Sequence, residues 1–328
     1  MTTTVESSST EHLTVSVIIP TLGRPVSLSR TIASVLPDSR ATEVVVVIDG
    51  DDDEESRQSV AEWTSRDARV RGIVQPNAGS NAARERGVRE ARGSIVVMLD
   101  DDVVAGVGLI SGHAARHDGV TPLIVVGYMP VVLPTDPILR VTAELYASAY
   151  DECCQDYEQQ PQGILDHLWS GNVSMRRADV LAVGLTSALK LRYHVDMEFG
   201  IRCSRAGMIG VFDRSLAATH HYERRVEQAV RDARNGGLAL SRIIETLQPR
   251  ESRKLHPLGH VTRKRRDLVY IVSFRTIRPV TNAVAQRLIA MAARLRWRMI
   301  SRVLLRYVLV VNSYAEYHAA GGPGLRRL

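Results

Sequence analysis

Cysteine is scarce in this chain of 328 residues. Cys153, Cys154 and Cys203 are the full set, two of them adjacent, and no CxxC or Cys/His spacing accompanies them. An odd, clustered count excludes a disulfide framework and a zinc finger, and it fits a reducing, cytoplasmic setting. Aromatic residues are only 5% of the total, and no nucleic-acid-binding motif is present, so no nucleic-acid partner is expected. No run of 18 uncharged apolar residues occurs, which argues against a membrane span. The first twelve residues, MTTTVESSSTEH, contain no apolar stretch. They are read as a disordered N-terminus and not as a signal peptide.

Apolar residues make up 45% of the chain, enough for one large core or a domain with an appendage. The charge is unevenly spread. Residues 251–310 hold 14 Lys/Arg against Glu251 and Asp267 alone, so the overall +6 leaves the rest of the chain acidic. The expected organisation is an acidic body over 13–237 and a basic, helical region over 238–328.

Within the body, short β-branched runs alternate with helical stretches. Strands are expected at 13–19 (LTVSVII), 44–48 (VVVVI), 70–74, 95–99 (IVVML) and 209–212. Helices are expected at 25–36, with Pro25 in the first turn, and at 54–66, and another should follow the Asn77–Asn81 turn. This alternation, with near-continuous apolar strands, predicts an α/β fold with a parallel sheet covered on both faces.

The stretch 94–104, SIVVMLDDDVV, ends a buried strand in Asp100, Asp101 and Asp102. Three neighbouring carboxylates repel one another unless positive charge sits among them, and hard divalent cations prefer oxygen ligands. Ligands of open α/β sheets bind outside the carboxyl ends of the strands. The run 44–48 also ends in an acid, Asp49, and in a parallel sheet the two ends share an edge. The residues alone leave two readings open: a metal-assisted phosphate site and a solvated acidic turn.

Six ordered pieces make the sequence resemble the family 2 glycosyltransferases, which have the nucleotide-sugar-binding GT-A fold. They are SVIIPTLGRPVSLSRTIASVL at 16–36, VVVVIDG at 44–50, NAGSNAARERG at 77–87, VVMLDDD at 96–102, WSGNVSMRR at 169–177 and HVDMEFGIRCSRAG at 194–207. The resemblance implies a Rossmann-like, mostly parallel sheet flanked by helices, with a nucleotide-binding half at about 13–104 and an acceptor half at about 105–237. It also implies an inverting, metal-dependent transfer. The donor is a nucleoside-diphosphate sugar, UDP-sugar being the family default. The acceptor is a glycan, a lipid-linked sugar or a small molecule.

The roles implied by the resemblance follow. Pro20, Thr21 and Asn77 line the nucleotide pocket, and Asp49 accepts from a base N–H. Arg84 positions acids or diphosphate. Asp100 and Asp102 form the DxD motif, with Asp101 between them. Asp102 binds Mn²⁺ or Mg²⁺ directly, with His220 as a further metal ligand. Asp196 is the base for the acceptor hydroxyl, with Glu198 as its rival. Trp169, Gly171 and Asn172 contact donor sugar and acceptor. Three positions depart from the family pattern. Glu85 stands where asparagine is usual, Val195 where an acid precedes the base, and Gly184-Leu185-Thr186-Ser187 where a Gly-Gly-Phe-acid turn is usual. The QxxRW motif of processive synthases is missing, so a single transfer is expected.

Two other readings of the acidic strand end were weighed. A phosphatase of the haloacid dehalogenase type needs its DxD on the first strand, and a dinucleotide site from Gly106-Val107-Gly108 has its third glycine, Gly112, one position late. A non-catalytic nucleotide-binding relative is the non-enzyme alternative. In the basic region, a helix over 280–312 would gather Arg287, Arg294, Arg298, Arg302 and Arg306 on one arc. Such a helix suits packing on the body, a homodimer contact, or peripheral attachment to the inner face of a membrane.

Overall fold

A computed structural model describes residues 13–247 and 280–322. The N-terminal twelve residues and the basic cluster at 263–266 lie outside the described residues. The sheet begins with β1 (Val15–Thr21), followed by α1 (Pro25–Val35), β2 (Ala41–Ile48), α2 (Glu54–Arg66), β3 (Val70–Val74), α3 (Ser80–Glu90) and β4 (Ile95–Leu99). β1 and β4 are buried along their whole length, which is why their apolar runs are continuous and not alternating. Their two faces feed separate clusters. Val17, Ile19, Val46 and Val97 pack with Leu28 and Ile32 of α1, whereas Ile18, Val45, Val47 and Val96 pack with Ala83 and Val88 of α3. Asp53 caps α2 by accepting from Ser56 N at 3.1 Å and also accepts from Gly23 N at 2.6 Å. One side chain thus starts a helix and fixes the turn after β1.

The later strands are β5 (Val103–Ala105), β6 (Leu123–Tyr128), β7 (Asn172–Arg176) and β8 (Ile209–His220). They complete one eight-stranded sheet in the order β3-β2-β1-β4-β7-β6-β8-β5. β1 pairs parallel to both β2 and β4, so the ends of these strands lie side by side. β7 runs antiparallel to β4 and β6, and β5 antiparallel to β8, so the parallel character is confined to the first half and the β6–β8 pair. β8 is three times the expected length and carries His220 at its end. The remaining helices of the body are α4 (Leu109–Ala115), α5 (Pro137–Gln159), α6 (Arg177–Val183) and α7 (Val195–Arg205).

The described part of the basic region does not hang off the body as a separate appendage. α8 (Val226–Thr246) runs straight through the expected 237/238 division. α9 (Val280–Arg294) and α10 (Arg298–Ala319) pack on it and on α5 through Val141, Val226, Val230, Ile289, Leu305 and Val308. The single helix expected over 280–312 is broken. Arg296 adopts φ +58°, its N–H reaches Ala293 O at 3.0 Å, and the Trp297 N–H reaches Ala292 O at 2.8 Å. That is a Schellman stop, built here on a left-handed arginine instead of the usual glycine. The arginine arc therefore divides between two helices. Gly237 of α8 lies so close to α10 that an added Cβ would overlap the Ser313 carbonyl. Gly237→Ala is expected to destabilise the protein by about 1–3 kcal/mol through overpacking, read as a lowered denaturant midpoint. An unchanged midpoint would contradict this contact.

Candidate active site

The carboxyl ends of β1, β2 and β4 open into a cavity of about 740 Å³, whose walls also include α5, α7, α8 and α10. Pro20, Thr21, Asp49, Asn77, Arg84, Asp100, Asp101, Trp169 and Asp196 all line it, so the fold brings these sequence candidates together. Asp49 already has partners within the chain. It accepts from Gln75 Nε2 at 2.8 Å, Ala78 N at 2.9 Å and Gly79 N at 2.8 Å. It therefore builds the turn that carries Asn77, and a carboxylate's fourth lone-pair direction is left for a ligand. Gly79 makes that turn at φ +97°, a conformation that disfavours any side chain.

The three aspartates do not stand alone. Arg24, which the sequence reading passed over, pairs with Asp101 at 2.5 Å and also with Asp102. Thr21 Oγ1 donates to Asp101 at 2.7 Å. His220 Nε2 lies 3.3 Å from Asp102 Oδ1, while His221 turns away to Arg30 at 2.9 Å. Burial, opposed by Arg24 and reinforced by Asp102 and Asp100, pushes the Asp101 carboxyl up to about 7. Asp102 moves the other way, held well below the carboxylate range despite its burial by His220 and Arg24. Two adjacent acids are thus shifted in opposite directions: Asp102 stays anionic, and Asp101 takes up a proton far more readily.

Carboxylates with an imidazole at their side are a hard, oxygen-rich donor set suited to Mg²⁺ or Mn²⁺. The Nδ1 of His220 is buried without a partner, and Arg24 now supplies the positive charge that the cluster requires. Among the described residues no three side chains stand ready as a complete cation cage. An ion here would draw remaining ligands from a diphosphate, as Mg²⁺ commonly does.

Asp196 enters from the first turn of α7 and accepts from Ser170 N at 3.1 Å. It is joined to the triad through Arg84, buried at α3. The Arg84 guanidinium contacts Asp100, holds Asn81 Oδ1 at 3.0 Å and stands 3.8 Å from Asp196. Two departures from the family pattern prove to be one interaction. Glu85 accepts from Thr186 N at 2.7 Å and from the Thr186 hydroxyl. Despite partial burial, Thr186 and Arg89 hold Glu85 down at about 2. From the other side Arg202 donates to the carbonyls of Val183, Gly184 and Leu185. The segment leading to Asp196 is thereby clamped between α3 and α7.

Glu198 does not meet Asp196 in the cavity. It is buried and bonded to Arg202 at 2.9 and 3.1 Å, because residues two apart on a helix face different ways. Asn172 is also withdrawn. It is fully buried, bonded to His113 Nε2 at 2.9 Å and to Leu216 O at 3.0 Å, and wedges β6, β7 and β8 together. Gly171 contributes by being small: a Cβ there would stand 2.9 Å from Asp100 Oδ2. Trp169 is half-buried, 5.2 Å from Tyr146 and 5.0 Å from Tyr150, and Tyr146 stacks on Tyr222 at 4.0 Å. Tyr146 and Tyr222 also stand edge-on to His220. This aromatic wall, with Leu305 and Leu309 of α10 beyond it, was not visible in the sequence.

Residues 16–162 match glycosyl transferase family 2. An uncharacterised glycosyltransferase, EpsJ of Bacillus subtilis, is 34% identical over 89 residues, 27% of this chain and 26% of that protein. Validoxylamine A glucosyltransferase of Streptomyces hygroscopicus subsp. jinggangensis is 32% identical over 124 residues, 35% of this chain and 29% of that protein. The matches thus span less than a third of these curated relatives. Among solved structures, the mannosyltransferase PcManGT of Pyrobaculum calidifontis, in complex with GDP-Man and Mn²⁺, superposes with a TM-score of 0.59 at 12% identity. That superposition covers 94% of this chain and 88% of the other. S. aureus TarS 1–349 gives 0.51 at 16% identity, covering 96% and 93%. At these identities the likeness is one of fold, and the fold is GT-A.

Proposed function

We propose that this chain, which carries a family 2 glycosyltransferase domain, transfers a sugar from a nucleoside-diphosphate sugar to an acceptor hydroxyl with inversion at the anomeric carbon. The observation that carries the reading is the convergence of Asp49, Asp100 and Asp196 on one cavity, with Asp196 linked to Asp100 through the Arg84 guanidinium; Asp102 and His220 stand behind this lining, held with Arg24. The base of the donor lies by Pro20, Thr21 and Asn77, with Asp49 offering an acceptor to a ring N–H. UDP-sugar is the first donor to try. Asp102, with His220 beside it, would hold Mn²⁺ or Mg²⁺, which would supply Lewis-acid neutralisation of the leaving diphosphate. Arg24 and Arg84 add fixed positive charge in a partly dry site, where it acts more strongly than in water. Asp196 takes the proton of the acceptor hydroxyl. Tyr146, Trp169 and Tyr222 offer flat faces to the sugar and acceptor. The acceptor is a glycan, a lipid-linked sugar or a small molecule.

The test is nucleoside-diphosphate release from UDP-, GDP- and dTDP-sugars with Mn²⁺ and a panel of acceptors. Acceptor-stimulated release from one nucleotide class supports the reading, and none from any class counts against it. A pH dependence follows too. Burial raises the Asp196 carboxyl above its ordinary value, with Arg84 opposing and Asp100 adding to the rise. The base must be ionised, so the rate is lost as pH falls through that raised value. The acid limb of kcat/KM is expected above the ordinary aspartate range of ~4. A limb at or below ~4 would exclude Asp196 as the titrating base.

A further inference from the structure

The α9–α10 hairpin turns an apolar face away from the protein. Leu288, Met291 and Leu295 of the α9 end are each about half exposed, as are Trp297 and Ile300, and Met299 is 78% exposed. On α10 the exposed Met299 stands opposite Ser301, Leu305 and Val308, which are buried against α5 and α8, so the face is not an unfilled part of the core. Exposed apolar patches of this kind mark docking surfaces. Arg287, Arg294, Arg296, Arg298 and Arg302 are exposed among these side chains. No Asp or Glu occurs between Asp267 and Glu316.

We infer that this hairpin docks on an anionic lipid surface, with the Leu295–Ile300 turn inserted at the headgroup level. The charge decides the occupant. A two-fold contact of the hairpin with its own copy would set arginines against arginines, since residues 280–315 carry no acid. Anionic headgroups supply the missing negative charge, and long arginine stems can lie along the apolar face while their heads reach the phosphates. Among the described residues no helix is long and apolar enough to cross a membrane. α10 also contributes Leu305 and Leu309 to the cavity wall, so docking would hold the catalytic cavity close to the lipid surface.

The experiment is co-sedimentation of the full chain with phosphatidylglycerol/phosphatidylcholine vesicles and with phosphatidylcholine alone. Binding is expected only to the anionic vesicles and should weaken with salt. Residues 251–279 are also basic in sequence, so the apolar face is the deciding part. Trp297→Ser with Met299→Ser should lower the partition coefficient by about tenfold or more. Arg298→Gln with Arg302→Gln should lower it about fivefold per arginine. Equal binding to both vesicle types, or unchanged binding in the Trp297/Met299 variant, would overturn the inference. So would a solution dimer that this variant splits, seen by light scattering, since the face would then be a subunit contact.

Discussion

Asp196→Asn is expected to lower the rate of sugar transfer by about 10²- to 10⁴-fold, the usual contribution of a positioned general base. The amide oxygen can still accept the hydrogen bond that Ser170 N now gives to the carboxylate at 3.1 Å, so the start of α7 keeps its geometry. What is lost is basicity, together with the charge that faces Arg84 at 3.8 Å. Asp196 makes no contact with Asp49 or the turn that it builds, so nucleotide affinity should change little and the loss should appear in kcat. Glu198→Gln makes the contrast. Glu198 is bonded to Arg202, which holds three carbonyls of the turn before α7, so this variant should lower stability more than it alters chemistry. A large kcat loss in Glu198→Gln, with Asp196→Asn within tenfold of the parent, would reassign the base.

Asp102→Asn should be as damaging by a different route. Its carboxylate is nearly buried, ion-paired to Arg24 and 3.3 Å from His220. Losing that charge removes the anchor proposed for the cation and leaves the diphosphate's developing charge less compensated. A loss of several kcal/mol of stabilisation corresponds to about 10²- to 10⁴-fold in rate. The gain in nucleotide affinity given by the metal should also be lost. Asp101→Asn is the internal control. Burial and its neighbours push that carboxyl up to about 7, so an amide resembles the protonated form that it already takes up in part near neutrality. Its effect should stay below about tenfold. Equal losses at the two positions would mean that the triad acts as one diffuse negative patch. Rates of the purified variants, with folding checked by circular dichroism, measure the difference.

Much of the nucleotide half could be read from the chain because its strands are buried on both faces. The runs 70–74 and 95–99 coincide with β3 and β4, and the helix at 54–66 coincides with α2. Continuous apolar runs ending in acids are a local signal, and the convergence of Asp49 with Asp100–Asp102 follows once the pairing is parallel. The acceptor half was harder because its elements are defined by long-range partners. β7 is a five-residue strand whose Asn172 looks like a ligand-binding residue in sequence. In the structure it is a buried wedge, because Gly127 leaves room for it and His113 Nε2 donates to its amide oxygen. Arg24 was missed because an arginine after Gly23 reads as an ordinary turn residue until Asp102 is seen to lie beside it. The break at Arg296 was missed because a left-handed stop on arginine carries no glycine or proline signal. Glu85 and Thr186 looked like two unrelated departures. They are 101 residues apart, and only the fold makes them one contact.

The measurement that bears most directly on the account is isothermal titration of the folded protein with UDP, GDP and dTDP, each with and without Mn²⁺. Saturable binding of one nucleoside diphosphate is expected that requires Mn²⁺ in the parent protein, with that Mn²⁺-dependent binding lost in Asp102→Asn. No binding of any of the three, by protein with an intact circular dichroism spectrum, would contradict the donor site at the ends of β1, β2 and β4.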